Sequence, residues 1–189
     1  MTENEIITRC RRGDREAFNE LVLKYQTQVF NIAYGMLSDY DDASDAAQEV
    51  FIKVYRSIAS FRGQSSFTTW LYRICANVCN DALRKRQRRG VNVSIDAEED
   101  EKGAAAELAS EMPTPEESVE MSERQRAVRE AIASLSDEYR EVIVLADIRG
   151  LSYDETADVL NCPVGTVKSR LNRARAALRK KLLDKRELF

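Results

Sequence analysis

Apolar residues recur at helical spacing through the first 90 positions of the chain. One stripe runs from Phe18 to Met36 and a second from Ala43 to Ile58, with apolar positions three or four residues apart. A third stripe lies between residues 66 and 86. Because an amphipathic helix must cover its apolar side, these segments predict a small helical bundle over residues 1–90.

The sharpest local signals lie in the C-terminal segment, residues 121–189. Ser152 and Glu155 have the spacing of a capping box, in which each side chain bonds the backbone of the other residue, and this predicts a helix start. Asn161 suits a helix C-cap, and Pro163 suits the first turn of a second helix. Two helices joined by so short a turn predict a helix-turn-helix.

The second helix of this motif has an apolar and a polar face. The side chains expected to pack inward are Val164, Val167, Leu171 and Leu178. Those left outside are Lys168, Ser169, Asn172, Arg173 and Arg175. Side chains of these types bind phosphates and read base edges in the major groove, so they indicate a recognition helix. The alternative is an ordinary solvated face of a helical hairpin.

An acidic segment separates the two helical parts. Residues 96–120 hold ten acidic side chains against one basic residue, Lys102, while basic runs flank the segment on both sides. Glycine, proline and the lack of sustained apolar periodicity favour a flexible linker over a folded element. The sequence therefore predicts an all-α chain of two small helical domains, 1–90 and 121–189, joined by a flexible acidic linker over 91–120.

Composition removes several function classes. The 189 residues include no histidine, which excludes histidine-dependent nucleophiles and histidine-ligated zinc. Cys10, Cys75, Cys79 and Cys162 are expected to be reduced thiols, and the helically spaced pair Cys75 and Cys79 supplies only two of the about four ligands of a closed metal site. We expect no metal and no cofactor. No apolar run reaches the roughly 18 to 20 residues of a membrane span, and no signal peptide is visible, so we expect a cytoplasmic protein without membrane insertion.

A second candidate nucleic-acid surface lies in the N-terminal part. Residues 61–73 combine aromatic, hydroxyl and arginine side chains around Gly63, and a polar helix face follows. That face consists of Thr69, Arg73, Asn77 and Asp81, and a basic run over 84–89 continues it. Aromatic platforms beside a cationic track are typical of single-stranded DNA binders. The alternative is that the aromatic side chains Phe61, Phe67, Trp70 and Tyr72 are ordinary core.

Three stretches together resemble the bacterial extracytoplasmic-function (ECF) sigma factors of the sigma-E type. Their promoter-melting region is similar to the stretch FRGQSSFTTWLYRICANVCNDALRKRQR of this chain. Their core-polymerase-binding helix is similar to DAAQEVFIKVYRSI, and their minus-35-reading motif is similar to LSYDETADVLNCPVGTVKSRLNRARAALRKKL. The resemblance covers nearly all of the chain except the linker. It implies a non-enzymatic factor that binds core RNA polymerase, directs promoter-specific initiation and is held inactive by an anti-sigma factor.

The same resemblance assigns roles to individual residues. It implies contacts with core polymerase by Asp45, Gln48, Glu49 and Lys53. It implies minus-10 DNA contacts by Arg62, Ser66, Phe67, Thr69, Arg73, Asn77, Asp81 and Arg84, with Asn77 reading an extruded base and Asp81 replacing an amide that is frequent in the family. It implies minus-35 contacts by Thr166, Lys168, Ser169, Arg170 and Arg173, of which Thr166 and Arg170 hold phosphates.

Two other function classes fit parts of the chain. An ordinary helix-turn-helix regulator would bind its operator without polymerase, but it leaves the segment 61–89 without a purpose. An enzyme with clustered carboxylates could use Asp41, Asp42, Asp45 and Glu49 to bind a divalent cation. A solvated or partner-facing helix edge is the commoner meaning of such spacing.

Overall fold

The structure, a computed structural model, describes the backbone of residues 2–90 and 115–183 and the side chains of residues 2–88 and 123–183. All regular structure in these ranges is helical, which confirms the all-α prediction. The α-helices are α1 (Glu3–Arg11), α2 (Arg15–Leu37), α3 (Tyr40–Ser57), α4 (Phe67–Gly90), α5 (Pro115–Ala133), α6 (Asp137–Val142), α7 (Tyr153–Leu160) and α8 (Val164–Leu183). Most of the predicted linker lies outside the described residues, and α5 begins inside its predicted range.

Helices α1 to α4, here the N-terminal half, pack around one apolar core. The predicted stripes supply it, because Leu21, Ile32 and Met36 on α2 face Val50 on α3 and Leu71 on α4, all of them almost fully buried. Asp14 and Asp39 cap the starts of α2 and α3 with their carboxylates. Helix α1, which was not predicted, begins with a capping box between Thr2 and Glu5.

Helices α5 to α8 form the C-terminal half. The predicted capping box is confirmed, because Glu155 N donates to Ser152 Oγ at 3.2 Å and Ser152 N donates to Glu155 Oε2 at 2.9 Å. Asn161 ends α7 with a left-handed φ of 49°, and α8 follows directly after Pro163. These features give the predicted helix-turn-helix. Helix α6 widens into a π-helical segment, Ile143–Ile148, that was not predicted.

The two halves pack against each other. Val144, Leu145 and Val159 of the C-terminal half belong to the apolar core of the N-terminal half, and α7 contacts α4 along its side. The sequence predicts two domains on a tether and gives no sign of this shared core.

Candidate nucleic-acid interface

The exposed side of α3 carries the residues expected to contact polymerase. Asp45, Gln48 and Glu49 are exposed, and Lys53 is half-exposed with its ammonium 3.1 Å from Glu49 Oε1. The buried side of the same helix is apolar, with Val50 fully inside. Helical spacing therefore places all four predicted residues on surface that a partner can reach.

Two apolar residues on α3 were missed by the sequence reasoning. Ile52 and Tyr55 are 51% and 49% exposed, although both are large and apolar. Helical spacing puts Ile52 beside Gln48 and Glu49, and the Tyr55 ring rests on Phe18 at a centroid distance of 4.9 Å. Exposed apolar side chains within a polar rim are typical of protein–protein interfaces. The sequence did contain a signal for this surface, because these two apolar residues lie outside the apolar stripe that the helix buries.

The polar face of α4 presents an amide and charged groups to solvent. Asn77, Asp81 and Arg84 are exposed, and the Arg84 guanidinium lies 3.4 Å from Asp81 Oδ1. Arg73 is half-buried, and its buried Nε has no hydrogen-bond partner within the described part of the chain. Because this nitrogen is buried, a bound acceptor could reach it only after the side chain moved.

Phe67 and Thr69 were expected to contact minus-10 DNA, but the structure buries both side chains. Phe67 is 4% exposed, within an aromatic cluster that includes Tyr25, Phe61 and Trp70 at centroid distances of 5.5 to 5.6 Å. Thr69 is 5% exposed, and its hydroxyl lies 2.7 Å from Ser66 Oγ. Both side chains are turned inward, so they support the surface instead of lining it.

The loop before α4 keeps its predicted polar groups on the surface. Arg62, Gln64 and Ser66 are exposed, and Gly63 has the positive φ of 71° that favours glycine. Ser66 Oγ accepts from the Thr69 backbone N–H at 3.0 Å, so Ser66 caps α4. Tyr72, one of the four aromatic residues in question, is core and donates to Gln28 Oε1 at 2.8 Å.

Helix α8 presents the expected DNA-reading side chains. Lys168, Ser169 and Arg173 are exposed, whereas Val167 and Leu171 face inward as predicted. The other two predicted contacts, Thr166 and Arg170, are half-buried.

Acidic neighbours engage two of the arginines of α8. Arg170 Nη2 lies 3.2 Å from Glu138 Oε1. Arg175 makes a two-pronged ion pair with Asp147 at 2.6 and 3.0 Å, and this raises the pKa of the guanidinium. Lys168 and Arg173 have no such ion pair among the described residues, so their charges are available to a phosphate or a base.

The cysteines are free thiols in structural positions. Cys10, Cys75 and Cys79 are buried and Cys162 is half-buried. Burial raises the pKa of Cys10, and the hydrogen bond with Cys79 together with burial raises that of Cys75. Among the described residues no cluster of three or more cysteine, aspartate or glutamate side chains could hold a metal ion. No described helix has the length and apolar character of a membrane span.

Family models and curated relatives match the chain over both halves. Sigma-70 region 2 matches residues 21–89, and Sigma-70, region 4 matches residues 125–178. The ECF RNA polymerase sigma-E factor of Haemophilus influenzae is 40% identical over 96% of this chain and 96% of its own length. The RNA polymerase sigma-H factor of Pseudomonas aeruginosa is 39% identical over 95% of this chain and 93% of its own length.

Two solved structures resemble the chain across both halves. A complex of CnrH with the cytosolic domain of CnrY matches with a TM-score of 0.64 and 25% identity, covering 95% of this chain and 96% of the solved chain. The sigma factor RpoE of Bartonella quintana, in complex with the anti-sigma factor NepR, matches with a TM-score of 0.66 and 27% identity, covering 87% of this chain and 96% of the solved chain. The chain belongs to the ECF RNA polymerase sigma factors, with region 2 in the N-terminal half and region 4 in the C-terminal half.

Proposed function

We propose that this sigma factor uses three separate surfaces in promoter-specific initiation. The α3 surface binds core polymerase, the α8 surface reads the minus-35 duplex, and the α4 surface with its preceding loop opens the minus-10 element. The polymerase performs the chemistry in the cytoplasm, and the sigma factor itself catalyses no reaction. The observation that carries this proposal is that α3, α4 and α8, the helices to which the family resemblance assigns these roles, each expose polar side chains on a separate surface.

The α3 surface suits a protein partner of mixed charge. Asp45 and Glu49 are exposed carboxylates, and Ile52 offers an apolar contact one turn further along. Charged rim groups steer association, while an apolar centre contributes most of the affinity. This combination supports docking to polymerase over a metal-binding role for the carboxylates.

The α8 surface suits duplex DNA. Lys168 and Arg173 project from the second helix of a helix-turn-helix, where an arginine can bond guanine O6 and N7 in the major groove. Arg170 is engaged by Glu138, so it would have to leave this partner to hold a phosphate. We therefore assign base reading to Lys168, Ser169 and Arg173.

The α4 surface suits an unstacked base. Asn77 can both donate and accept hydrogen bonds, and it is exposed on the face that also holds Arg73 and Asp81. Extruding a base from duplex DNA costs a few kcal/mol, which new hydrogen bonds to its edge would offset. Asn77 would therefore contribute to strand opening more than to the first encounter with DNA.

An anti-sigma factor would control this protein. The two similar solved structures hold CnrH with CnrY and RpoE with the anti-sigma factor NepR. Their similarity extends over both halves of this chain. We infer that an anti-sigma partner binds here as well, in competition with core polymerase.

Run-off transcription with core polymerase tests the proposal. Core polymerase alone should give no specific transcript from genomic fragments, and addition of this protein should produce defined start sites. Fluorescence anisotropy should show tight, specific promoter binding only when core polymerase is present. Nanomolar specific binding by the free protein, without polymerase-dependent transcripts, would support a helix-turn-helix regulator instead.

A further inference from the structure

Helix α8 stays strongly cationic beyond its DNA-reading residues. Its 20 residues include seven basic side chains and no acidic one. Lys168 and Arg173, to which base reading is assigned, lie in its first half, whereas Arg179 and Lys180 lie in its last turns. The base readers therefore leave the charge of the second half of the helix unexplained.

Arg179 and Lys180 keep their full charge toward solvent. Both are exposed, and neither has an ion pair with another side chain among the described residues. Two other arginines of α8 differ, because the guanidinium groups of Arg170 and Arg175 are each held by a carboxylate of a neighbouring element. Carboxylates thus reduce the charge of these two arginines but not that of Arg179 and Lys180.

The two exposed cations lie on the same side of α8 as the base readers. At about 100° per residue, Arg179 is rotated by about 20° from Lys168, and Lys180 by about 20° from Arg173. Lys181, by contrast, is half-buried and rotated by about 140° from Lys168. The helix dipole also favours a cation near a C-terminus, but this effect does not depend on the side of the helix. The shared face therefore indicates that Arg179 and Lys180 contact the same ligand as the readers.

The shared face is longer than the major groove is wide. From Lys168 to Lys180 it covers about 18 Å of helix, whereas the major groove of B-DNA is about 12 Å across. In helix-turn-helix proteins the N-terminal residues of the recognition helix contact the base edges. The C-terminal end of a straight helix of this length then lies at the edge of the groove, where the phosphates are.

We propose that Arg179 and Lys180 form a phosphate clamp that holds the DNA backbone beside the minus-35 element. The inference rests on the proposed minus-35 role of α8, and it adds a second kind of contact to that role. Phosphate contacts fix the register and orientation of a protein on the duplex, while base contacts carry the sequence information. The clamp holds α8 in place while Lys168, Ser169 and Arg173 read the bases.

Salt titration of promoter binding by the holoenzyme tests the clamp. Each phosphate contact contributes about 0.9 to the slope of log affinity against log salt concentration, so Arg179→Gln with Lys180→Gln should reduce the slope by about 1.8. The affinity ratio of the unchanged protein to this double variant should then be about 12 times larger at about 50 mM salt than at about 200 mM. Glutamine is nearly as good a helix former as arginine and lysine, so circular dichroism should stay the same. An unchanged slope would overturn the proposal.

Two controls separate the clamp from general effects of charge. Arg11→Gln with Arg12→Gln removes the same charge from exposed positions at the end of α1. Lys181→Gln removes a cation from the same end of α8 but from its other side. Both controls should leave the salt slope unchanged. A reduction as large per charge removed as that of the double clamp variant would overturn the proposal.

Neutral phosphates identify the ligand of the clamp. Methylphosphonate groups, placed one at a time in the backbone beside the minus-35 element, should weaken binding of the unchanged holoenzyme at a few positions. At those positions they should not weaken the double clamp variant further, because its cations are already absent. The loss caused by the double variant should also be equal for promoters that differ in their minus-35 base pairs, whereas a loss confined to one base pair would overturn the proposal.

The same experiments distinguish failure of the clamp from failure of the proposed function. If the double variant loses transcription while its salt slope is unchanged, Arg179 and Lys180 contact an acidic protein surface and the clamp is wrong. If the unchanged holoenzyme shows no promoter-specific binding, the proposed function fails. If it binds specifically and the double variant has the same slope, the clamp alone fails.

Discussion

Replacing Arg140 by alanine should destabilise the whole protein, although a charged residue on a helix is usually dispensable. Its guanidinium donates to the carbonyls of Met36, Ala133 and Leu135 at 2.6 to 2.8 Å, and to Ile132 O at 3.4 Å. Burial lowers its pKa, but an arginine stays protonated at neutral pH. The bonds are therefore charge-assisted.

The size of the effect follows from these bonds. Each hydrogen bond from a charged donor contributes about 1.5 to 3 kcal/mol, so the three short ones set an upper range of about 4.5 to 9 kcal/mol. Water can reach the partly buried Ala133 carbonyl, whereas the bonds to Met36 and Leu135 are buried. We expect Arg140→Ala to lower the free energy of unfolding by about 3 to 5 kcal/mol. Arg140→Lys should cost somewhat less, since one ammonium cannot reach carbonyls of α2 and α5 together.

Urea denaturation measures this change, with the fluorescence of Trp70, the single tryptophan, as the signal. The control is Arg126→Ala on α5, because Arg126 is exposed and its carboxylate partner lies 3.9 Å away. That variant should change the free energy of unfolding by less than about 0.5 kcal/mol. A loss below about 1 kcal/mol for Arg140→Ala would refute the role given to its carbonyl bonds.

Three further substitutions test the α3 surface, the α8 surface and the buried carboxyl group of Glu141. Reversing Asp45 and Glu49 to lysine should reduce co-purification with core polymerase without altering circular dichroism, and unchanged co-purification would remove α3 from the polymerase interface. Arg173→Ala should cost about 1 to 3 kcal/mol on minus-35 duplex and relax preference at one base pair, whereas a uniform loss over all sequences would indicate a phosphate contact. Burial raises the pKa of Glu141, so the stability that its protonation gives the folded protein is fully present below the ordinary carboxyl pKa and is lost as the pH rises through the raised value. Glu141→Gln, which carries no charge at any pH, should raise the melting temperature at pH 7 and flatten this pH dependence. If the melting temperature of the variant and of the unchanged protein had the same pH dependence, the role given to the Glu141 carboxyl group would be wrong.

Local patterns in the sequence predicted the elements well because their causes are local. The Ser152 capping box depends on residues three apart, and the apolar stripes of α2 and α3 depend on helical periodicity alone. The structure contains both the capping box and the buried apolar stripes. The exposed polar face of α8 was predictable for the same reason.

Features that depend on distant contacts were not predictable. Arg140 reads as a surface charge in the sequence, and only its position against Met36, 104 residues away, makes it a buried donor. Val144 reads as core of its own half, although it packs on Gly35 of the other. Phe67 and Thr69 were expected on the DNA surface because the resemblance aligns positions along the chain and says nothing about side-chain direction.

Permanganate footprinting of promoter melting by the Asn77→Ala holoenzyme tests the central claim most directly. Asn77 is exposed, so its loss should leave folding unchanged while removing base contacts that are together worth about 1 to 3 kcal/mol. A control variant is Gln26→Ala, an exposed amide on α2. We predict that Asn77→Ala forms the closed promoter complex normally, melts the minus-10 element poorly, and recovers most transcription on a promoter opened beforehand by a mismatched bubble. Normal melting of the duplex, or equal failure on duplex and bubble, would show that Asn77 does not read a base during opening.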